Sequence, residues 1–264
     1  INFCKSETGS SVIRNALVAQ KTKHIGSSLM ELNICGAIPP YNEILGGKLV
    51  ALLATSPQIV HDYKTRYENK ASEIASRLKG QPVCRPAELV YVGTTSLYYV
   101  GSSQYNRLKI PGEIFESDFD VVWKQLGMTI GFGTMHISKA TTLSLTEATS
   151  DGFNRINHVF GEGASPKMRL LTMAIRELIE ATNEDSKDFS KHAMSRIVYG
   201  ACLATNTSDY LLGKDDRPHY YTDMEQYKAG TQKIIDYWSE RWLSSRLNYE
   251  PIYERIRAFD KNAF

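Results

Sequence analysis

The sequence lacks any apolar run near the roughly 18 residues that a membrane-spanning helix needs. Its best apolar stretch, residues 45–54, is short and contains Gly46, Gly47 and Lys48. The chain also starts without the charged, apolar and small-residue regions that make up a signal peptide. We therefore predict a protein whose partners do not include a membrane.

Cysteine is scarce and scattered. The chain has four, far apart and without a Cys-x-x-Cys pair, at Cys4, Cys35, Cys84 and Cys202. Such spacing is typical of reduced thiols rather than of a disulfide framework. The six histidines are also spread out, so no segment has the ligand spacing of a structural zinc site. The sequence thus predicts a cytoplasmic protein without a bound metal, and it indicates no particular cofactor.

A strong charge of either sign is missing, because 31 Lys and Arg residues against 29 Asp and Glu leave a net charge of +2. The net charge therefore gives no sign of nucleic-acid binding, although it does not exclude a basic face on one part of the surface. Apolar residues make up 42% of the chain and aromatic residues 10%, enough to bury a core. Composition indicates a globular protein and leaves its activity open.

Hydrophobic patterning predicts three strands, at residues 29–38, 89–100 and 119–126. Segment 45–67 predicts two consecutive helices, because Ser56 is a good N-cap and Pro57 suits the first helical position. We therefore predict an α+β fold in which residues 1–160 form a core of mixed sheet flanked by helices. Residues 161–264 are predicted to form a mainly helical C-terminal region packed on that core.

The densest polar patch follows the second predicted strand and consists of Ser102, Ser103, Gln104, Tyr105, Asn106 and Arg107. These side chains suit a phosphate, a base edge or a carbonyl. Arg107 can form a bidentate contact, and Tyr105 can stack on a base or act as an acid. Alternatively, the patch is a capped short helix whose polar groups satisfy neighbouring loops. Because functional residues often lie at strand ends, we take it as a candidate ligand or nucleic-acid site.

A glycine loop before a predicted helix is the second candidate site, with Gly161, Glu162, Gly163, Lys167 and Arg169 as its binding residues. Amides in the first helical turn and two nearby cations suit an anion. Glu162 disfavours a purely phosphate-binding role and could instead cap the helix or act as a catalytic carboxylate. The alternative is an ordinary entry from a loop into a helix, and both interpretations stay open.

Gly46 and Gly47 open a predicted helix and first suggest a phosphate loop. A P-loop would need glycine at position 42 and serine or threonine at position 49, where this chain has Asn42 and Leu49. Nucleotide hydrolysis of that type is therefore not supported. The two glycines can still present amides to an anion, or they can allow close packing of the helix on a strand.

Several other residues allow both a functional and a structural interpretation. His136 is the best-placed general base, but lone histidines are more often structural. Arg241 and Arg246 could bind phosphates or simply form a solvated face. A nuclease would need converging carboxylates, and the neighbours in sequence are Glu147, Asp151 and Glu162.

Ordered motifs along the chain resemble one bacterial family. The first four are Cys35-Gly-Ala-Ile-Pro-Pro-Tyr-Asn42, Leu45-Gly-Gly-Lys-Leu-Val-Ala51, Thr94-Thr-Ser-Leu-Tyr98 and Ser102-Ser-Gln-Tyr-Asn-Arg107. Three more follow at Gly131-Phe-Gly133, Asn157-His-Val-Phe-Gly-Glu-Gly-Ala-Ser165 and Ile197-Val-Tyr-Gly200. Together they resemble the family of Druantia anti-phage system protein A, formerly a domain of unknown function, from about residue 25 onward.

The resemblance implies a component of a bacterial multi-protein antiviral defence system, with other proteins of that system, including a large helicase-like protein, as partners. The element order also looks similar to a Gcn5-related acetyltransferase core, which implies an acetyltransferase-like fold. Residues 42–48 depart from the motif that holds the pyrophosphate of acyl-CoA in that fold. One hypothesis is a protein that binds nucleic acid or partner defence proteins. The other is an acyltransferase-like enzyme that modifies a nucleic acid, a protein or a small molecule; its catalytic residues stay open.

Overall fold

A computed structural model describes residues 24–96, 104–129, 137–148, 173–174, 177 and 195–260 of the chain. The described residues belong to two compact units, one formed by 1–127 with 197–264 and the other by 128–196. The predicted boundary between residues 160 and 161 falls outside the described residues and stays a prediction. Among the helices that the structure describes, none is long and apolar enough to cross a bilayer.

The described strands are β1 (Leu29–Leu32), β2 (Tyr91–Thr95), β3 (Lys109–Ile110), β4 (Val121–Val122), β5 (Lys124–Met128) and β6 (Ile197–Cys202). Four of them form one sheet in the order β1-β2-β6-β5, while β3 and β4 pair as a separate antiparallel hairpin. Strand β2 runs parallel to β1 and antiparallel to β6. This mixed sheet, together with its helices, confirms the predicted α+β fold.

Two predictions about strands differ from the structure, and one strand was not predicted. Strand β1 ends at Leu32, and the side chains of Ile34 and Ile38 beyond it are 82% and 74% exposed. The predicted strand 119–126 is split into β4 and β5 at Trp123, whose indole turns into the core and donates a hydrogen bond to the Ala51 carbonyl at 3.1 Å. Strand β6, which pairs directly with β2, was not predicted as a strand.

The described helices are α1 (Gly46–Leu53), α2 (Pro57–Tyr67), α3 (Glu73–Lys79), α4 (Lys139–Ala148), α5 (Thr207–Leu211), α6 (Tyr227–Trp238), α7 (Ser244–Leu247) and α8 (Glu250–Arg257). A π-helix, Ser239–Leu243, joins α6 to α7, and single helical turns lie at Gly26–Ser28, Gly112–Phe115 and Met224–Gln226. Helices α1 and α2 meet at Ser56, which confirms that prediction. The helical C-terminal region is also confirmed, from Met224 onward.

The main core lies between one face of the sheet and helices α1, α2 and α6. Val92, Tyr199 and Ala201 supply the sheet side, while Leu52 and Ile234 supply the helix side. Helix α6 packs on both α1 and α2. This packing brings the end of α6 and the π-helix next to the start of α1, where the Trp238 indole donates a hydrogen bond to the carbonyl before α1, that of Leu45, at 3.3 Å.

Candidate functional site

The first predicted site is partly described, and its residues form a turn, 104–107. Gln104 is half-buried and Tyr105 is buried, whereas Asn106 and Arg107 are exposed. Ser102 and Ser103 lie outside the described residues. The turn therefore divides the predicted patch into an inward half that packs and an outward half that is open to a ligand.

Tyr105 is a core residue. Its side chain is 4% exposed, and its ring centre lies 5.1 Å from that of Trp123 and 4.8 Å from that of Tyr199. Burial raises the pKa of its hydroxyl well above the usual range of tyrosine, and the nearby Cys35 thiol adds to the effect. The ring has no open face for a base, and the hydroxyl is a poor proton donor at neutral pH.

Gln104 ties three parts of the chain together. Its Nε2 donates to the carbonyl oxygen and to the Sγ of Cys35, each at 3.2 Å, and its own carbonyl accepts from Lys48 Nζ at 3.1 Å. Burial raises the pKa of the Cys35 thiol, although hydrogen bonds with Tyr105 and Gln104 oppose that shift. Because a protonated thiol is a weak nucleophile, this cluster is suited to holding the turn in place rather than to covalent chemistry.

The two glycines at the start of α1 serve close packing. The Gly46 amide donates to the Tyr41 carbonyl at 2.8 Å, so it is not available to a ligand. A Cβ atom at Gly47 would lie only 2.6 Å from Gln104 Oε1, so the Gln104 side chain fills the space beside this helix start. The glycine pair does allow close packing, but against residues 37–41 and the Gln104 side chain rather than against a strand. The same geometry disfavours an acyl-CoA pyrophosphate at residues 42–48.

Two cations and an aromatic ring meet at the start of α1. Lys48 Nζ lies 5.8 Å from the ring centre of Trp242, and Arg241 Cζ lies 5.0 Å from the same centre. Burial lowers the pKa of the Lys48 ammonium, and repulsion by the Arg241 guanidinium lowers it further. Within the described part of the chain, no carboxylate lies within ion-pair distance of Arg241. The arrangement thus concentrates positive charge.

Tyr237 completes this region, which we call the basic–aromatic surface: Lys48, Tyr237, Arg241 and Trp242. The Arg241 guanidinium lies 5.7 Å from the Tyr237 ring centre, and the rings of Tyr237 and Trp242 meet edge to face at 5.6 Å. The Tyr237 hydroxyl is buried and has no hydrogen-bond partner among the described residues. Arg241 and Trp242 belong to the π-helix, a form that occurs in proteins mostly as a local distortion, often at functional sites.

Comparison with known proteins decides the family. Residues 16–213 match the family model described as "Druantia protein DruA". The chain belongs to this family. A relative from Escherichia coli (strain UMEA 4076-1), named "Druantia protein DruA", is 29% identical over 255 residues, which are 94% of this chain and 57% of the relative. The chain thus spans little more than half the length of that relative.

No solved structure matches this DruA-family chain. The likeness to an acetyltransferase therefore stays a prediction. The family match includes Lys48 and the turn 104–107 but ends at residue 213. Arg241 and Trp242 of the basic–aromatic surface therefore come from the chain beyond the matched residues.

The second predicted site of the DruA-family chain lies outside the described residues: Gly161, Glu162, Gly163, Lys167 and Arg169. His136 and Asp151 lie outside them as well. Glu147 is exposed on α4. In the part of the chain that the structure describes, no three His, Cys, Asp or Glu side chains converge as metal ligands would.

A cavity of about 260 Å³ lies on the face of the sheet away from the main core. Tyr91, Gly200 and Cys202 line it, together with two carboxylates. Asp120 is paired with Lys109 at 2.6 Å, and Asp209 with Lys214 at 2.8 Å. Both acids already have cationic partners, so Lys124 is the one lining charge without an ion pair in the described part of the chain, against two cations at the basic–aromatic surface.

The basic–aromatic surface was not predicted from the sequence as a unit. Arg241 was predicted to be either a phosphate ligand or a solvated residue, and Lys48 was considered only within an incomplete P-loop motif. The two residues are far apart in the chain and meet because α6 packs on α1. The only local signal was the alternation of tryptophan and arginine around residue 241.

Proposed function

We propose that this chain is a component of a bacterial multi-protein antiviral (anti-phage) defence system and that it acts by binding nucleic acid. Membership in the DruA family supports the first part. The observation that carries the second part is the pair of cations, Lys48 and Arg241, held over one tryptophan ring.

The electrostatics of this pair favour an anion. Two cations held close together repel each other, and the lowered pKa of Lys48 reflects that repulsion in addition to burial. A phosphate placed between them would replace the repulsion with two attractive contacts. Arginine also binds phosphate oxygens in a bidentate manner, which lysine does not. Phosphate is therefore the chemical group that this surface suits best.

The aromatic side chains favour nucleic acid over a free anion. Trp242 and Tyr237 lie directly beside the cations, and interleaved aromatic and basic side chains are typical of surfaces that follow a single-stranded backbone. Phosphate contacts position a nucleic acid but do not read its sequence. We therefore expect binding with little sequence preference and with strong salt dependence.

The outward half of the turn extends the proposed site. Lys48 Nζ contacts the Gln104 carbonyl, so the turn lies beside the basic–aromatic surface. Arg107 is exposed and has a left-handed backbone, with φ at 55°. We include Arg107 and Asn106 as further contacts. The predicted binding residues at 102–103 and 161–169 stay part of the proposal.

The test is a fluorescence-anisotropy titration of labelled single-stranded and double-stranded DNA and RNA at about 50 mM and about 200 mM salt. Arg241→Ala should weaken binding about tenfold or more, because it removes a charge-assisted contact. It should also lower the salt dependence by about one phosphate contact. Arg241→Lys should restore only part of the affinity, because lysine keeps the charge but loses the planar group.

Arg257→Ala is the matched control. Arg257 also lies over a tyrosine ring, that of Tyr253 at 5.7 Å, but its charge is offset by Glu254 at 3.8 Å. The Arg257→Ala protein should bind nucleic acid with the affinity of the parent protein. Equal affinity of the parent and Arg241→Ala proteins, with both melting normally, would contradict the assignment of this surface to nucleic acid.

We also propose that other defence proteins are partners of this chain, a large helicase-like protein among them. This part rests on family membership alone. Co-expression with the helicase-like protein of the same system, followed by size-exclusion chromatography, tests it. Co-elution of the two proteins supports the partnership, and separate elution at micromolar concentration contradicts it.

A further inference from the structure

Helix α3 presents apolar side chains to solvent. Leu78 is 83% exposed and Ile74 is 53% exposed, while the small residue between them, Ala75, is buried. A helix that serves only the fold of a globular protein points its large apolar residues towards the core instead. The arrangement is therefore the reverse of what packing alone would produce.

The exposed face of α3 is held firmly. The Ser72 hydroxyl accepts from the Ala75 amide at 3.3 Å and caps the helix. The Ser76 hydroxyl accepts from the Val83 amide at 2.9 Å, and the Ser72 amide donates to the Val83 carbonyl at 2.8 Å. Gly80, at φ 66°, ends the helix and turns the chain back. These bonds fix the helix against the returning segment, so the exposure of Leu78 is a feature of the folded state.

The surroundings of this face are basic. Segment 66–85 contains two acidic and five basic residues, a net charge of +3, and the basic ones are Arg66, Lys70, Arg77, Lys79 and Arg85. Within the described residues, none of these five forms an ion pair with a carboxylate. Three of them, Lys70, Arg77 and Lys79, lie within four residues of Ile74 or Leu78 in sequence. Basic residues thus outnumber acidic ones in the sequence around the two apolar side chains, although Glu73 lies directly before Ile74.

We propose that Ile74 and Leu78 form the centre of a docking surface for an acidic amphipathic α-helix of a partner protein. Residues four apart on a helix form a ridge that fits between the side chains of a facing helix. The surrounding cations match glutamate and aspartate at the edge of such a partner. We call this surface, centred on Ile74 and Leu78, the α3 surface.

Other kinds of partner fit the α3 surface less well. Helices that bind in the plane of a membrane bury a long apolar face, whereas α3 has seven residues and two large apolar ones. Phosphate contacts to a nucleic acid would engage the cations but leave Leu78 in water. A facing acidic helix is the partner that satisfies both the apolar and the basic side chains. This inference does not depend on the function proposed for the basic–aromatic surface.

The experiment uses a fluorescein-labelled three-heptad peptide with leucine on one face and glutamate on the others, titrated with the full chain. We expect saturable binding that weakens as salt is raised. Leu78→Glu and Ile74→Glu should each weaken binding about tenfold or more, because they remove buried apolar area and place a like charge against the peptide. The matched control is Leu143→Glu, on α4, where the leucine is also exposed, at 56%. It should bind like the parent.

Three further measurements make the outcome decisive. The Leu78→Glu protein should melt like the parent, because Leu78 is exposed. A peptide of the same pattern with lysine in place of glutamate should not bind. Arg241→Ala should bind the acidic peptide normally, which separates this surface from the nucleic-acid proposal. Absence of peptide binding, or equal binding by Leu78→Glu, would overturn the inference. The inference would also be overturned if Leu78→Glu abolished binding of the protein to phosphatidylserine vesicles but left its binding to the peptide unchanged.

Discussion

Replacing Gly47 by alanine tests the contact that holds the turn 104–107 beside helix α1. Gly47 lies in the first turn of α1 and its φ is not in the left-handed region, so the backbone accepts alanine. The new Cβ would lie 2.6 Å from Oε1 and 3.1 Å from Cδ of Gln104. Real Cβ atoms do not approach other atoms so closely, so the Gln104 side chain must move.

The magnitude follows from two opposing effects. Moving the Gln104 amide breaks its hydrogen bonds to the carbonyl and the Sγ of Cys35, worth together about 2 kcal/mol. Alanine offsets this by about 0.5–1 kcal/mol, because it loses less backbone entropy than glycine in a helix. We therefore expect Gly47→Ala to lower the free energy of unfolding by about 1 kcal/mol, measured by urea denaturation with an unchanged m-value.

The sign should reverse when Gln104 is absent. In a Gln104→Ala background the new Cβ atom no longer meets the Gln104 side chain. Only the higher helix propensity of alanine remains, so Gly47→Ala should stabilise the protein by about 0.5–1 kcal/mol. Gly46→Ala is the control, because its Cβ would meet the backbone carbonyl of Tyr41 at 2.8 Å and must destabilise both backgrounds. If Gly47→Ala destabilises the Gln104→Ala protein as much as the parent, the proposed contact does not determine the stability of this region.

The remaining predictions concern the turn, the core and the thiols. Arg107→Ala should melt close to the parent while phage protection in a plaque assay falls sharply, and full protection by this variant would remove Arg107 from the site. Arg107→Gly should be more stable than the parent by about 1 kcal/mol, because φ at this position is 55°. Tyr221→Phe should cost about 1–3 kcal/mol in urea, because the Thr55 carbonyl loses its buried donor at 2.8 Å; an unchanged midpoint would refute this. Iodoacetamide should label Cys84, which is exposed, well before Cys35, whose pKa burial raises; equal rates by peptide mapping would contradict the buried Cys35 cluster.

Local signals in the sequence predicted the parts of the fold that depend on few residues. The junction of α1 and α2 was predicted from Ser56 and Pro57. Pro57 is the first residue of α2, as expected, whereas the hydroxyl of Ser56 makes no capping hydrogen bond within the described residues. Strand β2 was predicted from its Val and Tyr content, which favours a strand. Strand β6 was missed. Its Gly200 weakens a strand pattern, and the reason for glycine there is that Tyr91 of the neighbouring strand lies across it.

The candidate site was predictable only in part. The polar composition of the turn indicated a site, but the sequence could not show that Tyr105 points into the core and Arg107 to solvent. That division depends on Trp123, between β4 and β5, and on Tyr199 of β6, whose rings pack on the Tyr105 ring. The meeting of Lys48 with the π-helix depends likewise on tertiary packing. No residue next to Lys48, or next to Arg241 and Trp242, indicates from the sequence that these side chains meet.

Three departures from ordinary local structure lie around the start of α1. Leu45 and Arg107 have left-handed backbones, at φ 59° and 55°, which cost a side-chain-bearing residue of the order of 1 kcal/mol or more each. A π-helix replaces regular α-helix at Ser239–Leu243. They are linked through contacts: Trp238 binds the Leu45 carbonyl, and Lys48 binds the turn and faces Arg241. Locally unfavourable backbone features cluster at functional sites, where the surrounding structure holds them in place. Their convergence on the basic–aromatic surface is the reason to test this surface for nucleic-acid binding first.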